Sequence, residues 1–388
     1  MPQPIYLDHA ATTPVRPEVF EAMQPFFGAR FGNPSSIHRW GREARVALDE
    51  ARERLARCLG ARPDEVCFTS GGTEGDNLAI LGPWRGREGE RAHRRAIVTT
   101  PIEHKAVLAA VHQAVREGAE ERFLSITPDG LVDLDRAREA IDRDVALCTV
   151  MWVNNEIGTI QPIAEVAALA RDAGALTHTD AVQAFGKIPI DLSSMPIDLL
   201  TVSGHKIGAP KGVGAIYIRR GTPVQPLLFG GSQDRGRRPG TENVAAAVGL
   251  ARAAEIAVAE REAECERLRA LRDTLEAALL ARIPDAVVHG RVAPRAPHVL
   301  NISVPGTDSE SLLMALDLAG VACSSGSACQ SGGVEPSHVL AALGVQADLA
   351  SAAVRMSLGA LTTDDCIDRV AQLFPALIEK ARRLSGMA

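Results

Sequence analysis

Short apolar runs alternate with segments of helical periodicity between about residue 65 and residue 220. Short runs bounded by Gly, Pro or polar residues are typical of buried strands. Their alternation with helical segments predicts a largely parallel sheet with helices on both faces. The predicted strands are Val66–Thr69, Ala96–Thr100, Ala146–Val153, Ala175–Thr179, Leu199–Ser203 and Gly214–Arg219.

The pattern changes near residue 241. The segment Thr241–Ala281 is dense in Ala, Glu, Arg and Leu and predicts one long helix, or two. Because 388 residues exceed the usual size of one domain, we expect a large domain over 15–255 and a small domain made of 1–14 and 256–388. For the second region the sequence predicts strands and helices at His298–Val304, Ser309–Ala319, Ala352–Leu358 and Ile367–Leu384.

Composition narrows the class of protein. A hydrophobic content of 46% and a charged content of 23% are ordinary for a soluble globular protein, and the net charge of −6 argues against a nucleic-acid groove. No run reaches the roughly 18 apolar residues of a membrane span, and no export signal opens the chain. Seven cysteines without a Cys-x-x-Cys pair predict a reducing compartment. We therefore expect a cytoplasmic protein with neither nucleic acid nor membrane as a partner.

A lysine stands at the end of one predicted strand, in the segment Asp198-Leu-Leu-Thr-Val-Ser-Gly-His-Lys206. The chain has only five lysines, and Lys206 alone follows an apolar strand into a Ser-Gly-His turn. A desolvated lysine loses its proton and attacks a carbonyl group, which is the chemistry that pyridoxal phosphate (PLP) enzymes need. The alternative is a lysine that pairs with a surface carboxylate.

A carboxylate ends another predicted strand, at Asp180, 26 residues before Lys206. An ionised carboxylate there would keep a pyridine nitrogen protonated and so make the ring an electron sink. The alternative role of Asp180 is an N-cap of the next helix. Together Asp180 and Lys206 indicate PLP chemistry more strongly than either residue alone.

A glycine-rich turn, Ser70-Gly-Gly-Thr73, joins the first predicted strand to a helix. Backbone N–H groups and a hydroxyl at a helix N-terminus form an anion site that suits a cofactor phosphate. The turn fits neither the P-loop nor the dinucleotide fingerprint, since the glycine spacing differs and no Gly-Lys-Ser/Thr follows. A capped turn without a ligand is the alternative.

Two cysteines, Cys323 and Cys329, lie among small and polar residues in the segment 321–333. Such a segment leaves a thiol accessible, so that it can serve as a nucleophile that moves between two places. The pair is too isolated from other ligand types to indicate a zinc site. The cysteines expected to be core or partly buried residues are Cys67, Cys148 and Cys366.

Six motifs in this chain are individually weak and collectively specific. They are Tyr6-Leu-Asp-His-Ala-Ala-Thr-Thr-Pro14, Phe31-Gly-Asn-Pro-Ser-Ser-Ile-His38, Val153-Asn-Asn-Glu-Ile-Gly158, His178-Thr-Asp-Ala-Val-Gln183, Ser203-Gly-His-Lys206 and Ser324-Ser-Gly-Ser-Ala-Cys329. From about residue 5 to about residue 375 the chain resembles the cysteine desulfurase family, specifically its NifS/IscS-type branch. The resemblance implies an α/β protein with the type I PLP-dependent, aspartate-aminotransferase-like fold. That fold has a mostly parallel seven-stranded sheet, a smaller α+β domain and active sites at a homodimer interface.

The resemblance also implies the residues that bind pyridoxal 5′-phosphate. Lys206 would hold it as a Schiff base and shuttle a proton at the substrate α-carbon, while Asp180 would pair with the ring nitrogen. His104 would stack on the ring and help in proton transfer. Gln183 and Asn155 would contact the phenolic oxygen of the cofactor ring and the carboxylate of the substrate. The groups expected at the phosphate are Gly72, Thr73, Ser203, His205 and, from the neighbouring subunit, Thr241.

Two further roles complete the implied reaction. Arg355 would clamp the α-carboxylate of L-cysteine, for which a guanidinium fork is chemically apt. Cys329 would attack the substrate sulfur, giving L-alanine and a Cys329 persulfide. The sulfur would pass to an acceptor such as an iron–sulfur scaffold protein. No metal is required, and the one metal role considered is that of Cys329 as a transient iron–sulfur ligand.

Alternatives stay open at this point. An aminotransferase or a selenocysteine lyase of the same fold would share Lys206 and Asp180, and Cys329 separates them from a desulfurase. A non-catalytic sulfur-trafficking scaffold would keep the family core. The acceptor is also open among iron–sulfur assembly, nitrogenase-type cluster assembly and transfer RNA thiolation, because family members with a docking tail usually extend further past the final helix than Ala388.

Overall fold

The structure is a computed structural model that describes residues 3–325 and 337–384. In these ranges the strands are β1 (Ile5–Tyr6), β2 (Val66–Thr69), β3 (Ala96–Thr99), β4 (Glu120–Phe123), β5 (Val145–Thr149), β6 (Leu176–Asp180), β7 (Leu199–Ser203), β8 (Gly214–Ile218), β9 (Val287–Val288), β10 (Val299–Ser303), β11 (Val321–Ala322) and β12 (Ala353–Ser357). The helices are α1 (Pro17–Met23), α2 (Arg39–Leu59), α3 (Gly72–Arg85), α4 (Lys105–Arg116), α5 (Leu134–Ala140), α6 (Ile163–Asp172), α7 (Val244–Arg282), α8 (Ser309–Leu318), α9 (His338–Ala342), α10 (Ala347–Ser351) and α11 (Asp364–Leu384).

Seven strands form one sheet in the order β2-β8-β7-β6-β5-β3-β4. Strand β8 pairs antiparallel with both β7 and β2, whereas the neighbours from β7 to β4 pair in parallel. The prediction of a largely parallel sheet is therefore confirmed. Six of these strands are buried along their whole length, which agrees with the largely apolar sequences of five of them, whereas β6 is buried although most of its residues are polar.

Helices cover both faces of this sheet. Leu78 and Trp84 of α3 pack with Val107 of α4 on one face. On the other face α2, α6 and the first part of α7 bury a larger apolar cluster that includes Leu48 and Val166. This two-faced covering is what the alternation of strands and helices predicted.

The remaining strands build a smaller α+β unit. Strands β12, β10 and β9 form an antiparallel sheet, and β1 pairs in parallel with β11. A separate apolar cluster lies here and joins residues near both ends of the chain, such as Leu7 and Phe374. We propose the division into 15–255 and 1–14 with 256–388, and the two clusters support it.

Helix α7 connects the two units as one continuous helix of 39 residues. Its first half, to Ile256, is buried in the cluster of the large sheet, and its second half, from Leu268 to Leu279, is buried in the smaller cluster. Within the described ranges, no helix is long and apolar enough to cross a membrane.

Candidate active site

The ends of parallel strands bring the site residues together. Strand β6 ends at Asp180, which pairs in register with Thr201 of the neighbouring strand β7. Strand β7 ends at Ser203 and continues into a single 3-10 turn that ends at Lys206. Ligands of α/β proteins bind beyond the carboxyl ends of such strands.

A cavity of about 490 Å³ opens at this edge of the sheet. Ten of the residues expected at the site line it, from both units of the chain. They are Gly72, Thr73, His104, Asn155, Asp180, Gln183, Ser203, His205, Lys206 and Arg355. The structure thus places nearly all the expected residues around one space.

Lys206 directs its ammonium group to two backbone carbonyl groups of the N-terminal segment. Nζ donates to Ala10 O at 2.6 Å and to Ala11 O at 2.8 Å. Burial, together with the positive charges of Arg355 and Lys187, lowers the pKa of Lys206 to about 8. A larger fraction of this amine is neutral near pH 7 than for a solvated lysine, and the neutral amine is the nucleophile.

Asp180 is buried, and its Oδ1 accepts a hydrogen bond from the Val182 N–H at 2.8 Å. Desolvation raises the pKa of Asp180, while the nearby His104 and Lys206 oppose that shift. A second buried carboxyl group, Asp76, lies beside it, and burial raises the pKa of Asp76 well above its usual range. With two acids in one pocket, the geometry favours a single negative charge at neutral pH.

His104 caps helix α4, and its Nδ1 accepts from the Ala106 N–H at 3.1 Å. The neutral ring therefore carries its proton on Nε2, and desolvation lowers the pKa of His104. One ligand atom from each of Asp76, His104 and Asp180 lies within 4.8 Å of the others. Two carboxyl groups and an imidazole at these distances are suited to bind a metal cation or to pair with a protonated ring nitrogen.

The glycine-rich turn opens helix α3 without a side-chain cap. Gly71 is the N-cap residue, with φ 154°, a region open to glycine, so it offers no side chain to the first-turn N–H groups. A Cβ on Gly72 would lie 2.9 Å from Val182 Cγ2. The uncapped helix end, with Thr73 beside it, has the chemistry of a phosphate site.

Two residues from the end of β7 lie at the same side of the cavity. Ser203 is buried, and its Oγ lies 3.8 Å from the position that a Cβ on Gly71 would occupy. His205 Nδ1 lies 3.2 Å from Thr12 Oγ1, and burial lowers the pKa of His205 to about 4. A neutral imidazole and a hydroxyl are both hydrogen-bond donors to phosphate oxygen.

Arg355 reaches the cavity from the middle of β12 in the smaller unit. Its Nη1 donates to Asn155 O at 2.9 Å, and its Nη2 donates to Asp8 Oδ1 at 2.8 Å. Its Nε is buried and, in the described part of the chain, has no hydrogen-bond partner. A planar fork with one unused donor is suited to a second carboxylate.

Gln183 connects the cavity to the N-terminal segment. Its Nε2 donates to Ala10 O at 2.8 Å, the same carbonyl that Lys206 contacts, and its Oε1 lies 3.3 Å from His298 Nε2. No role was predicted from the sequence for Asp8, Asp76 or His298. The sequence did indicate Asp8 and Asp76, because Asp8 lies inside the first motif and Asp76 follows the glycine-rich turn.

The segment that leads to Cys329 is attached beside Arg355. The backbones of Ser324 and Arg355 exchange two hydrogen bonds, of 3.1 and 2.6 Å, and Ser324 lines the cavity. Cys329 itself lies outside the described residues. Cys323 is half-buried against the smaller apolar cluster, and burial raises its pKa to about 12.

Beyond the cavity, Cys67 and Cys148 are buried and Cys366 is half-buried, as predicted. Thr241 is exposed on this chain and does not line the cavity. Its expected role in a neighbouring subunit stays a prediction.

A parallel sheet that ends in an aspartate and a turn lysine, with an uncapped helix for phosphate, defines a type I PLP-dependent enzyme. The chain belongs to the family described as aminotransferase class-V, whose sequence profile matches residues 5–370, and PLP is the cofactor of that family. It is similar to the cysteine desulfurase IscS of Dictyoglomus turgidum, with 45% identity over 99% of this chain and 97% of that protein.

Two more similarities agree with this family. The cysteine desulfurase NifS of Azotobacter vinelandii is 46% identical over 98% of this chain and 94% of its own. A solved structure described as a NifS-like protein superimposes with a TM-score of 0.91 and 35% identity, covering 97% of this chain and all of the other. The type I fold expected from the sequence is confirmed.

Proposed function

We propose that this protein is a cysteine desulfurase, which removes sulfur from L-cysteine and leaves L-alanine. One observation carries the proposal: Lys206, Asp180 and Arg355 line a single cavity, and the chain that leads to Cys329 is attached beside Arg355. The names of the relatives support the same activity.

The residues present fit PLP. The uncapped start of α3 and the groups near it suit the phosphate, and Asp180 suits a protonated ring nitrogen. When bound, the cofactor supplies an electron sink that acidifies the substrate α-carbon. We assign Lys206 to its covalent attachment and His104 to the ring face. We assign the polar groups around it to Gly72, Thr73, Asn155, Gln183, Ser203 and His205, with Thr241 from a second subunit.

Three side chains of this protein would then work on L-cysteine. The free donor of Arg355 would orient the α-carboxylate, and Asn155 would add a polar contact. The Lys206 amine, whose pKa burial lowers to about 8, would take and return the proton of the α-carbon. The buried Asp180 would hold the ring nitrogen in its protonated form.

The sulfur step needs a thiolate as acceptor, and we assign this role to Cys329. Its attack forms a sulfur–sulfur bond and breaks the carbon–sulfur bond of the substrate, so that alanine leaves and a persulfide remains. Cys329 follows Ser325 by four positions, and four residues of fully extended chain span at most about 14 Å. The neighbouring Ser324 lines the cavity, which supports the assignment.

Downstream of the persulfide, we propose transfer to a protein acceptor such as an iron–sulfur scaffold, with Cys329 as a transient cluster ligand during transfer. We also propose a homodimer in the cytoplasm. The exposed position of Thr241 supports the dimer, and the free state of the six described cysteines supports a reducing compartment.

The decisive experiment measures sulfide and alanine released from L-cysteine with a thiol reductant, with visible spectra recorded in parallel. We expect equal amounts of both products from the wild type. Cys329→Ala should lose sulfide release and keep its cofactor absorption, whereas Cys323→Ala, a change in a half-buried neighbour, should keep most of the activity. Sulfide release by Cys329→Ala would exclude the persulfide mechanism, and a cofactor-bound protein inert to cysteine would redirect the search to selenocysteine and amino-group donors.

A further inference from the structure

A second cavity, of about 420 Å³, lies on the other side of Lys206. It is bounded by the N-terminal segment, by helix α7 and by the residues that follow β12. Lys206 lines both cavities and so belongs to the wall of each. Sites for small organic ligands have volumes of roughly 300–1,000 Å³, and this cavity falls inside that range.

The wall of the second cavity is largely apolar, with Phe185, Ile207, Leu268 and Leu358 among its residues. Such a wall accommodates a hydrocarbon chain or ring, because burial of apolar surface is favourable at about 25 cal/mol per Å². Charged side chains also line the cavity, and one of them is Lys187, which follows Phe185 and Gly186 in the chain.

Lys187 is half-buried, and among the described residues its ammonium group has no hydrogen-bond or ion-pair partner. The three glutamates of the cavity are engaged elsewhere, and Glu18 lies 3.9 Å from Arg16. Glu260 pairs with Arg16 at 2.8 Å, and Glu264 pairs with Arg267 at 2.7 Å. A half-buried ammonium without a partner, in a wall whose surface is mostly apolar, offers a charged contact to an anion.

The pKa of Lys187 also supports an anion site in this cavity. Burial lowers the pKa of Lys187 to about 8, with only the Cys265 thiol opposing the shift. Within residues 3–325 and 337–384, no carboxylate lies within 4.0 Å of its ammonium group. Strongly shifted titratable groups in a cleft are typical of functional sites.

We propose that this second cavity binds a small organic monoanion with an apolar body, of the class of short-chain carboxylic acids. The carboxylate would pair with Lys187, and the chain would lie against Leu268 and Leu358. This site is distinct from the cavity that holds Asp180 and Arg355, and the proposal does not depend on the reaction catalysed there.

Occupation of the second cavity has an expected effect on the first. The positive charge of Lys187 is one of the influences that lower the pKa of Lys206. An anion paired with Lys187 cancels part of that influence. We therefore expect the bound carboxylate to act on Lys206 across the shared wall.

Titration calorimetry on the cofactor-loaded protein tests the proposal, with n-hexanoate as the charged probe and hexanamide as its uncharged counterpart. We expect hexanoate to bind the wild type, and we expect hexanamide to bind on the order of 10-fold more weakly, as for loss of a charged contact. Lys187→Met should weaken hexanoate by a similar factor. Lys380→Met, the same change at an exposed lysine of α11, should leave the affinity unchanged.

Two more variants locate the probe. Ala257→Leu places extra methylene groups in the second cavity and should weaken hexanoate, whereas Arg355→Gln should not. The proposal is wrong if hexanoate fails to bind, if Lys187→Met binds it as the wild type does, or if the affinity is lost in Arg355→Gln alone. Because heat of binding is measured, failure here is distinguishable from failure of the desulfurase assignment.

Discussion

Arg355 donates from Nη2 to Asp8 Oδ1 at 2.8 Å, and the two side chains are 5% and 20% exposed. The arginine proposed to bind the substrate carboxylate therefore already holds a carboxylate of its own chain. Asp8 also lines the cavity, so its charge lies near the place that the substrate would occupy. Substrate binding at Arg355 is opposed by this fixed negative charge.

Replacement of Asp8 with Asn removes that charge with little change in shape. We expect the KM for L-cysteine to fall about 3- to 10-fold, which corresponds to the loss of roughly 1 kcal/mol of repulsion. Steady-state kinetics of sulfide release measures it. Arg355→Lys should raise KM instead, because the fork geometry is lost. A higher KM in Asp8→Asn would mean that Asp8 mainly holds Arg355 in position.

Lys206→Ala removes the proposed attachment point of PLP. We expect loss of the visible absorption of the covalently bound cofactor and loss of alanine formation. Absorption spectra and amino-acid analysis on purified protein check both. The same change at Lys380, an exposed residue of α11, should alter neither. Full activity in Lys206→Ala would remove the central residue of the proposed site.

Asp180 and Asp76 form a matched pair of neighbouring buried acids. Asp180→Asn should lower kcat on the order of 100-fold or more, because the charge that holds the ring nitrogen protonated is lost. Asp76→Asn should cost far less, since burial raises the pKa of Asp76 well above its usual range and so disfavours its charged form. Equal losses of kcat in Asp180→Asn and Asp76→Asn would contradict the assignment of the negative charge to Asp180.

Lys187 gives a prediction about stability and pH. Its folded-state pKa of about 8 lies below the ordinary value of 10.5, so protonation of this residue opposes folding. The full cost applies below pH 8, where both states are protonated, and it disappears as the pH rises from 8 to 10.5.

Lys187→Met should therefore raise the free energy of unfolding at pH 7 by about 2 kcal/mol, a value reduced from the shift because the side chain is only half-buried. The gain should shrink between pH 8 and pH 10.5. Denaturant titrations at several pH values measure it. A gain that is constant with pH would show that packing, and not charge, is responsible.

The buried strands of the large sheet were predicted well from the sequence, whereas its exposed edge strand β4 was not. The strands β2 and β7 have the bounds expected from their apolar runs, and helix α7 is continuous where one helix or two was expected. Strand β4, with the sequence Glu-Glu-Arg-Phe, was missed. It lies at the edge of the sheet with polar and partly exposed side chains, so it produces no apolar run.

Prediction of the candidate site from the sequence has the same limit. Lys206 and Asp180 could be predicted from the sequence because Asp180 ends a strand and Lys206 lies in the turn after one. Local sequence patterns indicate where strands end. The contacts of Lys206 with Ala10 and of Arg355 with Asp8 join residues 196 and 347 positions apart, which no local pattern reports. Pairings of this kind depend on how the two units fold against each other.

The pairing of β1 with β11 limits when these two parts of the chain can fold together. Ile5 is synthesised before its partner Val321, which follows it by more than 300 residues. Strand β1 therefore stays without this partner until Val321 has been made, and unpaired apolar segments in such a state are prone to aggregate. The carbonyl of Ala10, which receives the Lys206 ammonium, follows the same strand. The setting of Lys206 thus depends on a pairing between segments that are synthesised far apart in time.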